Sequence, residues 1–200
     1  MGIREARREA RRQAIEEAGL ELFLSEGYER ASVERIASKV GIARGTFYLY
    51  YADKHALFEE FCSRLYGPLV SALEASQQRL SQAESSEKQR LLYLQMAFEM
   101  TQQLEAVRPL MKLHFREQRS AGPSGDLVAR WTARFEDISI AILTDARDRG
   151  LIREVDPVTV TMAIVGSAER LIWAHLEGDE RLDPDRAALE LSNVFFSGIA

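Results

Sequence analysis

Apolar residues recur along this chain at spacings of three and four, with polar residues between them, which is the period of an amphipathic helix. Ala14, Ala18, Leu22 and Phe23 line one side of a first helix predicted from about Glu9 to Ser25, and Gly27 stands where a helix stop belongs. Ser32 is placed to cap a second, short helix that ends near Val40, and Gly41 breaks it. A third short helix is predicted over Gly45 to Tyr50. Asp53 then caps a long helix through Leu80, which Gly67-Pro68 is expected to interrupt. After a polar connector, residues 81–90, helical patterns resume over Leu91 to Leu104, Arg108 to about Arg119 and Asp126 to Arg149. Asp156-Pro157 and Asp183-Pro184 each pair a cap with a proline at the first helical position, and open helices to about Leu176 and Phe196. No stretch sustains an alternation of apolar and polar residues, and no Asn-Gly or Asp-Gly hairpin signal occurs. The expected fold is all-α, with about nine helices.

Residues 33–50 repay a closer look. Two short helices crossing steeply need a small residue where their backbones approach, and Ala37 supplies it. They need a residue that tolerates an unusual turn, and Gly41 supplies it. They need apolar residues facing inward from both helices, and Ile36, Val40, Ile42 and Phe47 meet that requirement. This is a helix-turn-helix pattern, whose second helix is presented to a DNA major groove. A helical hairpin within an ordinary bundle is the alternative.

Charge changes the picture. The net charge is −5, which on its own argues against a nucleic-acid binder. Residues 1–54, however, hold ten Lys or Arg against nine Asp or Glu, whereas residues 55–200 hold sixteen against twenty-two. Arg4, Arg7, Arg8, Arg11 and Arg12 crowd the first twelve residues. The chain has a basic tip on an acidic body. Those arginines form either an arm reaching DNA or a frayed, solvated helix start.

The stretch SVERIASKVGIARGTFYLYYADKHALF, residues 32–58, resembles the DNA-binding segment of the tetracycline-repressor (TetR) family of bacterial transcription regulators. Ile36-Ala37, Gly41, Gly45-Thr46, Phe47-Tyr48, Tyr50-Tyr51 and Lys54 carry the likeness, which covers roughly residues 10–60. The resemblance implies a DNA-binding helix-turn-helix domain over residues 1–54, and a ligand-binding and dimerisation domain over 55–200. It also implies a homodimer on double-stranded, palindromic operator DNA. By position, Ser32, Thr46, Tyr48, Tyr50 and Lys54 are the phosphate candidates, while Ala43, Arg44 and Gly45 sit where base edges are met. Arg35 is placed on the DNA side of the second helix. Phe47 is expected in the core, and Tyr51 packed at the junction with the fourth helix. Ala43 departs from the Ser or Thr frequent at the start of the third helix, so a cap is expected to be missing there.

The resemblance further implies a small-molecule pocket and a dimer face in the larger domain. Pocket candidates are Tyr66, Tyr93, Met96, Met100 and Met111, together with His114, Phe115, Trp131 and Phe135, a set that suits an adaptable apolar cavity and a plain core equally. The implied effector is small and apolar or amphipathic. Val165, Ala168, Ile172 and Trp173 on one helix, with Leu191, Val194 and Phe195 on the last, are the expected dimer face; a monomer's own core is the alternative. Gly67-Pro68 is read as a flexure point. Repression is the family's usual mode, with an activator or a ligand-independent architectural protein as alternatives.

No enzyme is expected. Cys62 is the only cysteine, so it forms no intrachain disulfide or thiolate cluster. No phosphate-cradling loop, metalloprotease motif or convincing carboxylate pair occurs. No metal or cofactor is expected, nor any membrane span, and the expected location is the cytoplasm.

Overall fold

The computed structural model describes residues 2–104 and 107–199, with the side chains of 100–104, 184 and 196–199 outside the described residues. Within them the chain is helical, with nine helices and no strand. These are α1 (Ile3–Glu26), α2 (Val33–Val40), α3 (Arg44–Phe47), α4 (Lys54–Ser81), α5 (Ser86–Leu104), α6 (Arg108–Glu117), α7 (Pro123–Asp148), α8 (Pro157–Leu176) and α9 (Pro184–Ile199).

The caps read from sequence hold. Ser32 Oγ accepts from the Arg35 N–H at 3.3 Å, Asp53 from Ala56 at 2.8 Å, Asp156 from Thr159 at 2.9 Å and Asp183 from Arg186 at 3.1 Å. Several boundaries differ. α1 begins at Ile3, before the expected Glu9, because residues 3–12 are rich in Ala, Arg and Glu, good helix formers that carry no apolar stripe to signal them. α5 begins at Ser86, where Ser85 Oγ caps the Lys88 N–H at 3.2 Å. α7 opens on Pro123 rather than Asp126, directly after Gly122 at φ 95°.

The expected interruption of the fourth helix is corrected: α4 runs unbroken through Gly67 and Pro68. A proline inside a helix removes one donor, here the bond to the Arg64 carbonyl. Leu65, Val70 and Leu73 on either side are buried and hold the helix in place.

Two compact units emerge. One joins Met1–Leu65 with Pro109–Ala129; the other joins Tyr66–Arg108 with Arg130–Ala200. This compaction differs from a division at residue 54, since the first unit takes in the start of α4 together with α6 and the beginning of α7.

In the first unit, Ile15, Phe23, Ile36, Phe47, Leu57 and Phe58 are wholly buried. The Phe23 ring meets Phe58 edge-on at 5.7 Å and Tyr28 at 5.6 Å. Gly19 lets α4 approach α1, for a Cβ there would lie 2.5 Å from Leu57 Cδ2. In the second unit, Leu73, Leu80 and Ile142 form one cluster, and Leu143, Ala146 and Ile152 another.

Candidate nucleic-acid interface

The turn between α2 and α3 is built as a helix stop. Gly41 takes φ +72°, ψ 37°, the left-handed conformation that a Cβ penalises. Its N–H donates to the Ser38 carbonyl at 3.1 Å, and the Ile42 N–H to the Ala37 carbonyl at 3.0 Å. This paired closure satisfies carbonyls that the helix end would leave orphaned. Ala37 is 2% exposed, the small residue at the crossing.

α3 starts at Arg44, with Ala43 extended before it and no side-chain cap. Thr46 N–H bonds back to the Ala43 carbonyl at 2.9 Å, and Tyr50 and Tyr51 N–H groups both bond to the Phe47 carbonyl, so helical turns continue past the short helix. The aromatic run divides by face. Phe47 is fully buried and Tyr51 is 8% exposed, whereas Tyr48 and Leu49 project outward and Tyr50 is half-buried.

The outward face is already organised. Arg44 Nη2 donates to the Tyr48 hydroxyl at 3.0 Å, and Arg44 Nη1 lies 2.8 Å from Glu34. The Tyr48 hydroxyl first, and then the Glu34 charge, hold the guanidinium more firmly protonated. Gly45 is exposed, and a Cβ there would meet nothing within 4 Å. A glycine in a helical turn weakens it by about 1 kcal/mol relative to alanine, and nothing inside the chain requires one here. Ala43, Arg44, Gly45 and Tyr48 therefore share one solvent-facing surface, with half-buried Thr46 and Tyr50 beside it.

Two expected phosphate or DNA-side cations are engaged elsewhere. Lys54 Nζ donates to the carbonyls of Tyr28 at 2.8 Å, Ala31 at 3.1 Å and Glu29 at 3.2 Å, and stands 4.3 Å above the Tyr28 ring. All three of its donors are spent on closing the loop after α1. Arg35 is clasped by both oxygens of Glu26.

Beneath this surface lies a network the sequence does not announce. Glu16, 7% exposed, accepts from the Tyr51 hydroxyl and, at 2.7 Å, from Arg64 Nη2; Arg12 Nε is 3.6 Å away. Burial alone would raise this carboxyl, but the hydrogen bonds from Arg64 and Tyr51 and the charges of Arg64 and Arg12 outweigh it and hold it below the ordinary glutamate range. Burial, then the bond to Glu16, pushes the Tyr51 phenol up. The network ties the end of the α3 segment to α1 and α4. A second buried acid, Glu117 of α6, accepts from the Tyr28 N–H at 3.1 Å and from Ser124 Oγ at 2.8 Å. Neither acid shows in the sequence, because Glu16 meets Tyr51 and Arg64 across 35 and 48 residues, and Glu117 meets Tyr28 across 89. Cys62 is buried, and that burial pushes its thiol up to about 12, so it is no nucleophile at neutral pH.

The pocket candidates are divided between the two compact units. Tyr93, Met96 and Phe135 pack around Leu73, Leu80 and Ile142, and Tyr66 stacks on Trp131 with ring centroids 5.7 Å apart. Met111, His114 and Phe115 belong to the other compact unit, with Met111 and His114 buried. The Met100 side chain lies outside the described residues, as does that of Phe196 on the last helix.

The expected dimer face is under-buried. In α8 only Pro157, Thr161 and Leu176 are buried. Val165, Ala168 and Ile172 are half-buried, as are Leu191 and Phe195 of α9, while Trp173 is 39% and Val194 67% exposed. A Cβ on Gly166 would meet nothing within 4 Å. Among the described residues, no three His, Cys, Asp or Glu side chains gather as a metal site, and no helix is long and apolar enough to cross a membrane.

Residues 15–61 match the family model of bacterial regulatory proteins of the tetR family. The chain is 38% identical over 53 residues to the HTH-type transcriptional regulator YvdT of Bacillus subtilis, covering 26% of this chain and 27% of that protein. The aligned stretch thus spans about a quarter to a third of the length of the curated relatives it matches. Over nearly the whole chain the fold is that of solved structures. FadR of Bacillus subtilis in complex with stearoyl-CoA matches with a TM-score of 0.69 at 20% identity, covering 94% of this chain and 99% of that one. The SmeT–triclosan complex, SmeT being a multidrug efflux pump repressor of Stenotrophomonas maltophilia, matches with a TM-score of 0.68 at 21% identity, covering 96% and 92%. Residues 15–61 are thus similar to the bacterial regulatory proteins of the tetR family, and the chain shares the fold of these solved structures.

Proposed function

We propose that this protein is a cytoplasmic, ligand-responsive transcriptional repressor that binds a palindromic operator as a homodimer and leaves it when a small apolar or amphipathic molecule binds. The two-faced segment 43–51 carries the reading. Its inner face is locked by Phe47, Tyr51 and the Glu16–Arg64 pair, while its outer face presents Arg44, Gly45 and Tyr48 to solvent. A helix held this firmly and left this bare on one side suits a major groove.

In this reading Arg44 meets a base edge, and releases Glu34 and Tyr48 to do so. Gly45 lets the backbone close on the groove. Ser32, Thr46, Tyr48 and Tyr50 hold phosphates and set register. Lys54 and Arg35 act by positioning: one closes the loop after α1, the other ties α2 to it. Residues 1–54 carry the DNA contacts and residues 55–200 the effector and dimer functions.

The half-buried apolar faces of α8 and α9 support dimerisation, since so apolar a helix with three buried residues leaves much unspent surface. The dimer sets the separation of two α3 segments, which must match half-sites about 34 Å apart. Ligands of the related folds, stearoyl-CoA and triclosan, are amphipathic or apolar. Tyr93, Met96 and Phe135 are the favoured effector contacts, with Tyr66 and Trp131 beside them.

Selection of bound duplexes from a random library, followed by anisotropy titration of the selected site, tests the reading. A palindromic consensus bound by wild type and lost in Arg44→Ala is expected. Recovery of no consensus, or an Arg44→Ala variant with unchanged specificity, overturns it.

A further inference from the structure

The first ten residues of α1 form a helical, cationic extension. Residues 3–12 are helical and none of them is buried. At about 100° per residue, Arg4, Arg7, Arg8 and Arg11 fall within an arc of about 100°, one stripe roughly 10 Å long. The stripe continues the line of Ile15, Ala18 and Leu22, the residues by which α1 faces its core. It therefore leaves the folded body on its packed side, with arginine where apolar residues stood.

These four cations are set apart by what they lack. Among the described residues 2–65, every other Lys and Arg holds a carboxylate or a backbone carbonyl. Arg4, Arg7, Arg8 and Arg11 hold neither, and all four are exposed. Glu9, the acid that could neutralise them, is turned to Arg12 at 3.3 Å, and Glu5 lies off the stripe. Four like charges on one helical stripe repel one another. A polyanion relieves that repulsion, and a helix already formed binds it without paying an ordering cost. Duplex DNA, with one charge per about 1.7 Å of axis, presents about six charges over the length of the stripe.

We propose that this helical extension is a second DNA contact, in which Arg4, Arg7, Arg8 and Arg11 bind backbone phosphates flanking the bases met by α3. The proposal rests on the DNA-binding reading and adds a sequence-independent, salt-sensitive part to it.

The test is a R4Q/R7Q/R8Q/R11Q variant, in which glutamine preserves helix propensity. Binding to a mixed-sequence duplex of about 30 base pairs is followed by anisotropy across a salt series. The slope of log Kobs against log salt should shrink by about 0.9 for each arginine that touches phosphate, and by about 3.6 per protomer if all four do. The melting temperature should not fall, because no residue of the extension is buried and the substitutions relieve the repulsion along the stripe. An unchanged slope in the variant, with wild type binding normally, overturns the proposal and leaves the α3 reading standing. Wild type showing no salt-dependent duplex binding overturns both. Phosphatidylserine vesicles are the control: vesicle binding that the variant loses while its DNA slope is unchanged assigns the stripe to a membrane surface and overturns the proposal.

Discussion

Replacing Tyr51 by Phe removes one oxygen and leaves the ring, so it isolates the bond that fastens the α3 segment to α1. The ring is 8% exposed and lies 5.9 Å from Phe47, contacts that Phe retains, so no cavity opens. What goes is a hydrogen bond to a buried, charged acceptor, worth about 1.5–3 kcal/mol. Glu16 keeps Arg64 at 2.7 Å, so its carboxylate is not orphaned and the upper end is not reached. The expected loss is about 2 kcal/mol, or a melting temperature lower by about 4–8 °C for a chain of this size.

The pH dependence gives a sharper readout. The folded Glu16 carboxyl lies below its unfolded value of about 4.3, held there against burial by Arg64 and Tyr51. Its contribution is therefore fully present above that unfolded value and is lost as pH falls through the lower folded one. The gap between wild type and Tyr51→Phe should be full at pH 7 and narrow in acid. Urea unfolding at fixed protein concentration, from pH 7 downward, measures both. A difference under about 0.5 kcal/mol at pH 7, below the range for a bond to a charged group, would refute the reasoning, as would a gap that does not change with pH.

Three further outcomes are expected. Ala43→Ser should supply the cap that α3 lacks and raise stability by about 1 kcal/mol, seen as a higher melting temperature; no gain would argue against a helix start at Arg44. Gly45→Ala should fold as well as wild type or better, since its Cβ meets open space, yet weaken operator binding in anisotropy titrations; undiminished affinity would remove the close backbone approach from the proposal. Ile172→Glu should convert the proposed dimer to a monomer in sedimentation velocity without loss of helical circular dichroism, and a variant that still dimerises would move the interface off this face of α8.

The sequence by itself determined the helices and the turn. Capping and turn chemistry are local: Ser32, Asp53, Asp156 and Asp183 bond within three residues, and Gly41 needs only its own φ. Phe47 as core followed from the helix-turn-helix spacing, and Tyr48 as an outward residue from the family resemblance. Where local signals conflicted with packing, packing won, and Pro68 sits inside an unbroken α4 because its neighbours are buried on both sides.

Only the tertiary structure decided which charges are free. Lys54 reads from sequence as a cation for phosphate, and the fold gives all its donors to three carbonyls 23 to 26 residues away. Glu16 reads as one more acid on a helix, and the fold makes it the anchor of the α3 segment. The four arginines of residues 4–11 read as either a DNA arm or a fraying tip, and the fold leaves them as the unpaired cations among the described residues 2–65. An ion pair is set by distance in space, which a helical period does not encode, and so the chemistry of each charge waited on the fold.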